Sequence, residues 1–244
     1  MSDSSTSIAL VTGAARRIGS AIARRLAGQG WGIGLHYNRS RADAEALAEE
    51  LRAAGARVAL LPADLADIDQ TRGLVPACVE ALGPPACLVN NASIFRRDTV
   101  ADFTDESWRA HQDVNLHAPL VLSQAFADAL PAGHTGNIVN LIDQRVLRPT
   151  PTFFSYTLSK SALWTATRTM AQALAPRIRV NAIAPGPVLQ NSYQSEADFA
   201  REWRTTPLER GATPEEIADA VVFILGAPAM TGQMIALDGG EHLQ

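Results

Sequence analysis

The chain has 244 residues, 47% hydrophobic and 19% charged, with a formal net charge of −4. That much apolar material can fill a sizeable core. The acidic balance argues against a nucleic-acid partner, and no apolar run is long enough to span a membrane. The start, Met1 to Ser7, has no basic flank and no long apolar stretch, so it does not read as a secretion signal. Cys78 and Cys87 are too few for a disulfide framework and form no metal-ligand pattern. They are expected to be reduced thiols of a cytoplasmic protein, and no metal site is expected.

Short apolar runs alternate with longer helical patterns along the chain. Strands are predicted at Ile8–Thr12, Gly32–His36, Arg57–Pro62, Ala86–Asn90, Asn137–Ile142, Arg179–Ile183 and Met234–Leu237. Helix-like stretches lie between them, such as Arg41–Ala54 with Ala and Leu at helical spacing. Strand–helix alternation implies βαβ units around a parallel sheet. No linker, repeat or low-complexity tract divides the chain, so residues 1–244 read as one domain. The stretch from Pro185 to about Arg210 is polar and reads as irregular, with Pro185, Gly186, Pro187 and Pro207. A long segment of this kind is usually functional, often a lid. Its part near 187–206 is the expected substrate loop.

The first strand runs into Thr12-Gly13-Ala14-Ala15-Arg16-Arg17-Ile18-Gly19 and then a helix. Glycines at such a turn let the backbone approach a pyrophosphate, and the helix N-terminus favours the anion. Arg17 stands where a middle glycine would be, so the motif alone is weak, and an ordinary two-glycine turn remains open. The second strand ends in His36-Tyr37-Asn38-Arg39-Ser40, without the acid that usually holds a ribose 2′-hydroxyl. Arg17, Arg39 and Ser40 instead suit a 2′-phosphate, unless this is simply a solvated basic turn. Asp64 and Leu65 end the third strand, where the carboxylate could receive an adenine amino group. Asn90-Asn91-Ala92-Ser93 ends the fourth.

Tyr156 and Lys160 are four residues apart, which puts them on one face of a helix. An ammonium beside a phenol would lower the phenol's pKa and help it exchange protons. The pair is common by itself and gains meaning from the nucleotide-type turn upstream.

Taken together, the Thr12–Gly19 turn, Asp64, Asn90-Asn91-Ala92, Asn115, Tyr156, Lys160, Pro185-Gly186 and the closing Leu237-Asp238-Gly239-Gly240 resemble the short-chain dehydrogenase/reductase family, over nearly the whole chain. The resemblance implies an NADP(H)-type cofactor and an α/β Rossmann-type doubly wound sheet of about seven parallel strands with helices on both faces. It also implies a homotetramer. Tyr156 would be the proton donor, Lys160 would bind the nicotinamide ribose, Asn115 would hold a water in the proton path, and Pro185 and Gly186 would line the carboxamide. The implied cofactor set further comprises Gly13, Arg17, Ile18, Gly19, the run His36, Tyr37, Asn38, Arg39 and Ser40, then Asp64, Leu65, Asn91, Ala92 and Ser93.

Departures from the general pattern are informative. Asp143 stands thirteen residues before Tyr156, where most members carry serine; Ser93 ends the usual Asn-Asn-Ala-Gly; Gln190 replaces a threonine. This altered set looks like the pteridine reductases and bacterial dihydromonapterin reductases. An ionised Asp143 only accepts hydrogen bonds. It would repel a carbonyl oxygen gaining charge, but suits a ring with N–H donors or one needing a proton at nitrogen. The alternative is that it merely bonds backbone or Arg145. Phe95, two residues after Ser93, could stack on a flat heterocycle or be a core or lid residue. Arg17, Ser93, Phe95, Asp143 and Tyr156 form the expected substrate set for a pterin-like small molecule, while Arg145 and Arg148 read as surface or interface residues. The remaining alternatives are reduction of another carbonyl or imine, and a dinucleotide-binding sensor without turnover.

Overall fold

The computed structural model describes residues 6–190 and 193–244. The apolar runs form β1 (Ile8–Val11), β2 (Gly32–Tyr37), β3 (Val58–Pro62), β4 (Cys87–Asn90), β5 (Gly136–Leu141), β6 (Ile178–Pro185) and β7 (Met234–Leu237). They make one parallel sheet in the order β3-β2-β1-β4-β5-β6-β7. Among the described residues eight α-helices lie between them: α1 (Arg17–Ala27), α2 (Arg41–Ala53), α3 (Ile68–Leu82), α4 (Asp105–Gln112), α5 (Ala118–Ala129), α6 (Phe154–Leu174), α7 (Glu196–Thr205) and α8 (Pro214–Leu225).

Side chains of a strand alternate between faces, and β1 is apolar on both. Ala9 and Val11 pack with Ile22 and Leu26 of α1, Leu47 and Leu51 of α2, and Val221 of α8. Ile8 and Leu10 pack on the other face with Leu74 of α3 and Leu122 and Phe126 of α5. Both faces are therefore covered, which is why this strand reads as a continuous apolar run. Each fully buried Leu, Ile or Phe contributes about 1.5–3 kcal/mol. Connectivity reverses at β1, which lies between β2 and β4. Such a switch point opens a crevice at the carboxyl ends of the strands.

One element departs from the sequence reading. Within the segment expected to be irregular, residues 196–205 form α7, opened by a capping box between Ser195 and Asp198. Trp203 ties the helix down by donating from Nε1 to the Pro187 carbonyl at 2.6 Å. None of its residues is fully buried, and its apolar face is short, carried by the ring contact of Phe199 and Trp203. β6 also runs on to Pro185. Residues 191 and 192 of the expected substrate loop, and residues 1–5 of the start, lie outside the described residues.

Candidate active site

The turn after β1 is braced from below. Gly13 has φ +61° and donates its N–H to His36 Nδ1 at 2.9 Å. His36 Nε2 meets the Ala63 carbonyl at 3.1 Å, so the ring is neutral with its proton on Nε2. Burial pushes its pKa down to about 4. Asn91 Nδ2 donates to the carbonyls of Thr12 and Gly13 at 2.7 and 3.2 Å. A Cβ on Gly19 would lie 2.2 Å from the Gly13 carbonyl oxygen, so only glycine fits there. Helix α1 starts without a side-chain cap, which leaves its first N–H groups for a ligand or solvent.

Above this turn lies a cleft of about 670 Å³. It is lined by Gly13, Arg17, Ile18 and Gly19, by His36, Tyr37, Asn38, Arg39 and Ser40, by Asp64 and Leu65, and by Asn91, Ala92 and Ser93. A second cavity of about 460 Å³ adjoins it through Arg17, Ile18, Asn91 and Ser93. Phe95, Asp143, Tyr156, Lys160, Pro185 and Gly186 line that cavity. Gly186 cannot carry a side chain, because its Cβ would come 2.6 Å from that of Asp238.

Helix α6 presents Tyr156 and Lys160 on one face, as the spacing predicts. The Tyr156 hydroxyl donates to Asp143 Oδ2 at 2.8 Å, and Asp143 Oδ1 accepts from the Arg145 N–H at 2.8 Å. One oxygen thus bonds backbone beside Arg145, as the alternative reading expected, and the other bonds the candidate proton donor. Burial raises the Asp143 pKa against the pull of the Arg145 N–H and charge. Burial first, and then the Asp143 carboxylate, raises Tyr156 well above the usual phenol value. This corrects the expectation that Lys160 lowers it. The Lys160 ammonium donates to the Leu141 carbonyl at 2.8 Å and lies 5.8 Å from the Tyr156 ring centroid, while Asp143 is in direct contact. Lys160 itself is lowered to about 8 by burial.

Four more residues make contacts that the sequence did not indicate. Asn115, in a π-helical turn (Asp113–His117), lines neither cavity. Its Oδ1 accepts from Ile94 N and Ser93 Oγ, and its Nδ2 donates to the Ile94 carbonyl and Ser159 Oγ. That uses the side chain's bonding capacity, so a water in the proton path would be held by the Asn115 backbone carbonyl. His36 is a brace for the turn, 2% exposed. Arg17 takes a left-handed backbone, φ +56°, and reaches away from the 2′-phosphate end to the carbonyls of Leu189 and Gln190 at 3.2 and 3.0 Å. Arg145 lines the cavity instead of the outer surface.

Phe95 does offer a ring to the cavity, but one face is already covered. Phe153 stacks on it with centroids 4.1 Å apart, and the Arg145 guanidinium sits 5.0 Å over Phe153. Sequence reasoning also missed Gln144, Glu202 and Glu241, which line the same cavity. Glu241 is carried there by the turn that Asp238 builds, accepting from the N–H groups of Gly240 and His242 at 3.0 and 2.8 Å. The closing Leu-Asp-Gly-Gly run marked that turn in sequence but not where it leads.

A doubly wound sheet with a Tyr–Lys helix beside a nucleotide-type cleft defines a class, and the comparisons agree with it. Residues 13–242 match a family model described as enoyl-(acyl carrier protein) reductase, and the chain belongs to the short-chain dehydrogenase/reductase family of oxidoreductases. Among solved structures it is similar to the FolM alternative dihydrofolate reductase 1 of Brucella canis complexed with NADP, at 47% identity and a TM-score of 0.96, over 98% of this chain and 95% of that one. It is also similar to an uncharacterized oxidoreductase of Methylorubrum extorquens, 36% identical over 96% of each chain. The 3-oxoacyl-[acyl-carrier-protein] reductase FabG of Staphylococcus aureus is 32% identical over 98% of this chain and 99% of its own.

Proposed function

We propose that the chain is an NADPH-dependent reductase that takes a dihydropterin-like ring to the tetrahydro level. The observation that carries this reading is the 2.8 Å bond in which Asp143 accepts from the Tyr156 hydroxyl, an acceptor placed against the proton-holding group. A ketone reductase needs a neutral donor where Asp143 stands; a ring nitrogen needs a proton delivered.

The cleft suits NADP(H). The uncapped start of α1 offers N–H groups to a pyrophosphate. Arg39 and Ser40 lie beyond β2, where no acid would oppose a 2′-phosphate. When bound, the cofactor supplies a hydride. Tyr156 holds the balancing proton on its hydroxyl beside the substrate cavity, and Asp143 orients that hydroxyl. Hydride to carbon and proton to nitrogen together reduce a C=N bond. Lys160, fixed by the Leu141 carbonyl, would bind the nicotinamide ribose. Asn115 fixes the Ser93–Ile94 stretch, whose Ser93 lines both cavities.

The Brucella relative's description as a dihydrofolate reductase supports the pterin reading. The FabG relative supports the second reading, reduction of another carbonyl. The presence of both Tyr156 and Lys160 argues against a sensor without turnover. We further read residues 1–244 as one domain of a cytoplasmic homotetramer. NADPH oxidation with dihydromonapterin, dihydrobiopterin, dihydrofolate and simple ketones tests the proposal. Acceleration by a dihydropterin is expected; acceleration by the ketones alone overturns it.

A further inference from the structure

The cavity that holds Asp143 and Tyr156 contains two polar side chains that the reaction above does not use. Gln144 is 4% exposed, and its Oε1 is buried with no hydrogen-bond partner. Turning the amide over would put its NH₂ group in the same position, so one terminal atom is unmatched in either orientation. Glu241 also lines the cavity, with its side chain 15% exposed. Its nearest cation is the Arg148 guanidinium at 4.0 Å, too far for a hydrogen bond. Buried polar groups without partners are costly, and here both line a space large enough for a ligand.

The cations around this cavity are already engaged. Arg17 is bonded to the Leu189 and Gln190 carbonyls. Arg145 donates to Thr150 Oγ1 at 2.7 Å and lies over Phe153. Glu202 of α7 adds a further carboxylate to the same wall. Burial and then Glu202 raise the Glu241 pKa to about 7, so above that pH it is an ionised acceptor, and the Gln144 amide can turn its oxygen toward a donor.

Resting on the reading of the site as a pterin reductase, we propose that Gln144 and Glu241 form a second substrate subsite, which reads N–H or O–H donors on the substrate's substituent and rejects a carboxylate there. Asp143 and Tyr156 handle the reacting ring, while Gln144 and Glu241 select what the ring carries. The ligand class is an uncharged heterocycle with a hydroxylated or amino-bearing side chain.

The test compares dihydromonapterin, whose side chain ends in hydroxyls, with dihydrofolate, whose side chain ends in carboxylates, under saturating NADPH. The unaltered protein is expected to show the lower KM for dihydromonapterin. Glu241→Gln removes the charge and should raise that KM roughly 10- to 100-fold, the range for a lost hydrogen bond to a charged group. It should also lower the KM for dihydrofolate, because the repulsion is gone. Gln144→Met, close in shape, should raise the dihydromonapterin KM by itself, with the KM for NADPH unchanged in either variant. If both substrates turn over and neither substitution changes the ratio of their KM values, this subsite is wrong and the reductase reading stands. If neither dihydropterin is reduced, the reductase reading fails and the subsite fails with it.

Discussion

Tyr156 donates its hydroxyl hydrogen to Asp143 Oδ2 at 2.8 Å, joining the first turn of α6 to the loop after β5. The carboxylate opposes ionisation of the phenol, and burial opposes ionisation of both. The tyrosine therefore keeps its proton across the neutral range, as an acid must before it gives that proton up.

Removing that proton while keeping the ring is the first expectation. Tyr156→Phe should lower kcat with a dihydropterin by roughly 10²–10⁴, the usual contribution of general acid catalysis. NADPH binding, followed by fluorescence titration, should change little. Near-normal turnover would show that another group is the acid.

Asp143→Ser exchanges an acceptor for a donor. Dihydropterin turnover should fall, and weak activity on simple ketones should rise. The carboxylate raises the Tyr156 pKa, so its loss should move the alkaline limb of the pH–rate profile to lower pH. A profile that stays in place would mean Asp143 does not govern the phenol.

Cofactor choice should depend on Arg39, which lines the cleft beyond β2 next to Ser40. The unaltered protein should prefer NADPH to NADH. Arg39→Asp should weaken that preference by repelling a 2′-phosphate. Equal use of NADH by the unaltered protein would reject the assignment.

His36 gives a pH dependence of stability. Its folded pKa is about 4 against 6.5 for a free histidine, so between these values the unfolded chain binds more protons. Stability from this group is complete above about 6.5 and is lost as pH falls toward 4. The displacement corresponds to about 3 kcal/mol at most. Melting temperatures should drop across that window, and His36→Gln should flatten the drop. An equal drop in the variant would assign it to other groups.

Arg17 sets backbone strain against a tether. A left-handed residue with a Cβ costs roughly 1–2 kcal/mol, and Arg17 accepts that at φ +56° while holding the Leu189 and Gln190 carbonyls. Arg17→Gly should leave the melting temperature unchanged or slightly higher. It should also raise the substrate KM, because the segment after β6 loses its anchor. A melting temperature several degrees lower would show that the tether outweighs the strain.

The sequence by itself determined the sheet and the ligand end of it. Continuous apolar runs such as Ile8–Val11 can only be strands covered on both faces, and helical patterns between them require parallel connections. The residues that close each strand, from Gly13 to Ser93, then meet at one edge because parallel strands all end on the same side. Local spacing also put Tyr156 and Lys160 on one helix face.

Only the tertiary structure decided how these groups act on one another. The Tyr156 pKa depends on what is packed against the hydroxyl, and a separation of thirteen positions hides that it is Asp143. Asn115 and His36 have the same composition whether they meet a ligand or the protein; their neighbours in space, Ile94 and Ala63, make them braces. Helix α7 shows only one i,i+4 apolar pair, Phe199 and Trp203, within a polar segment that carries prolines, and so was hard to read. Glu241 and Gln144 share a cavity though they are nearly a hundred residues apart. Burial and long-range contact set charge state and partnership, and neither is a property of a residue's local sequence.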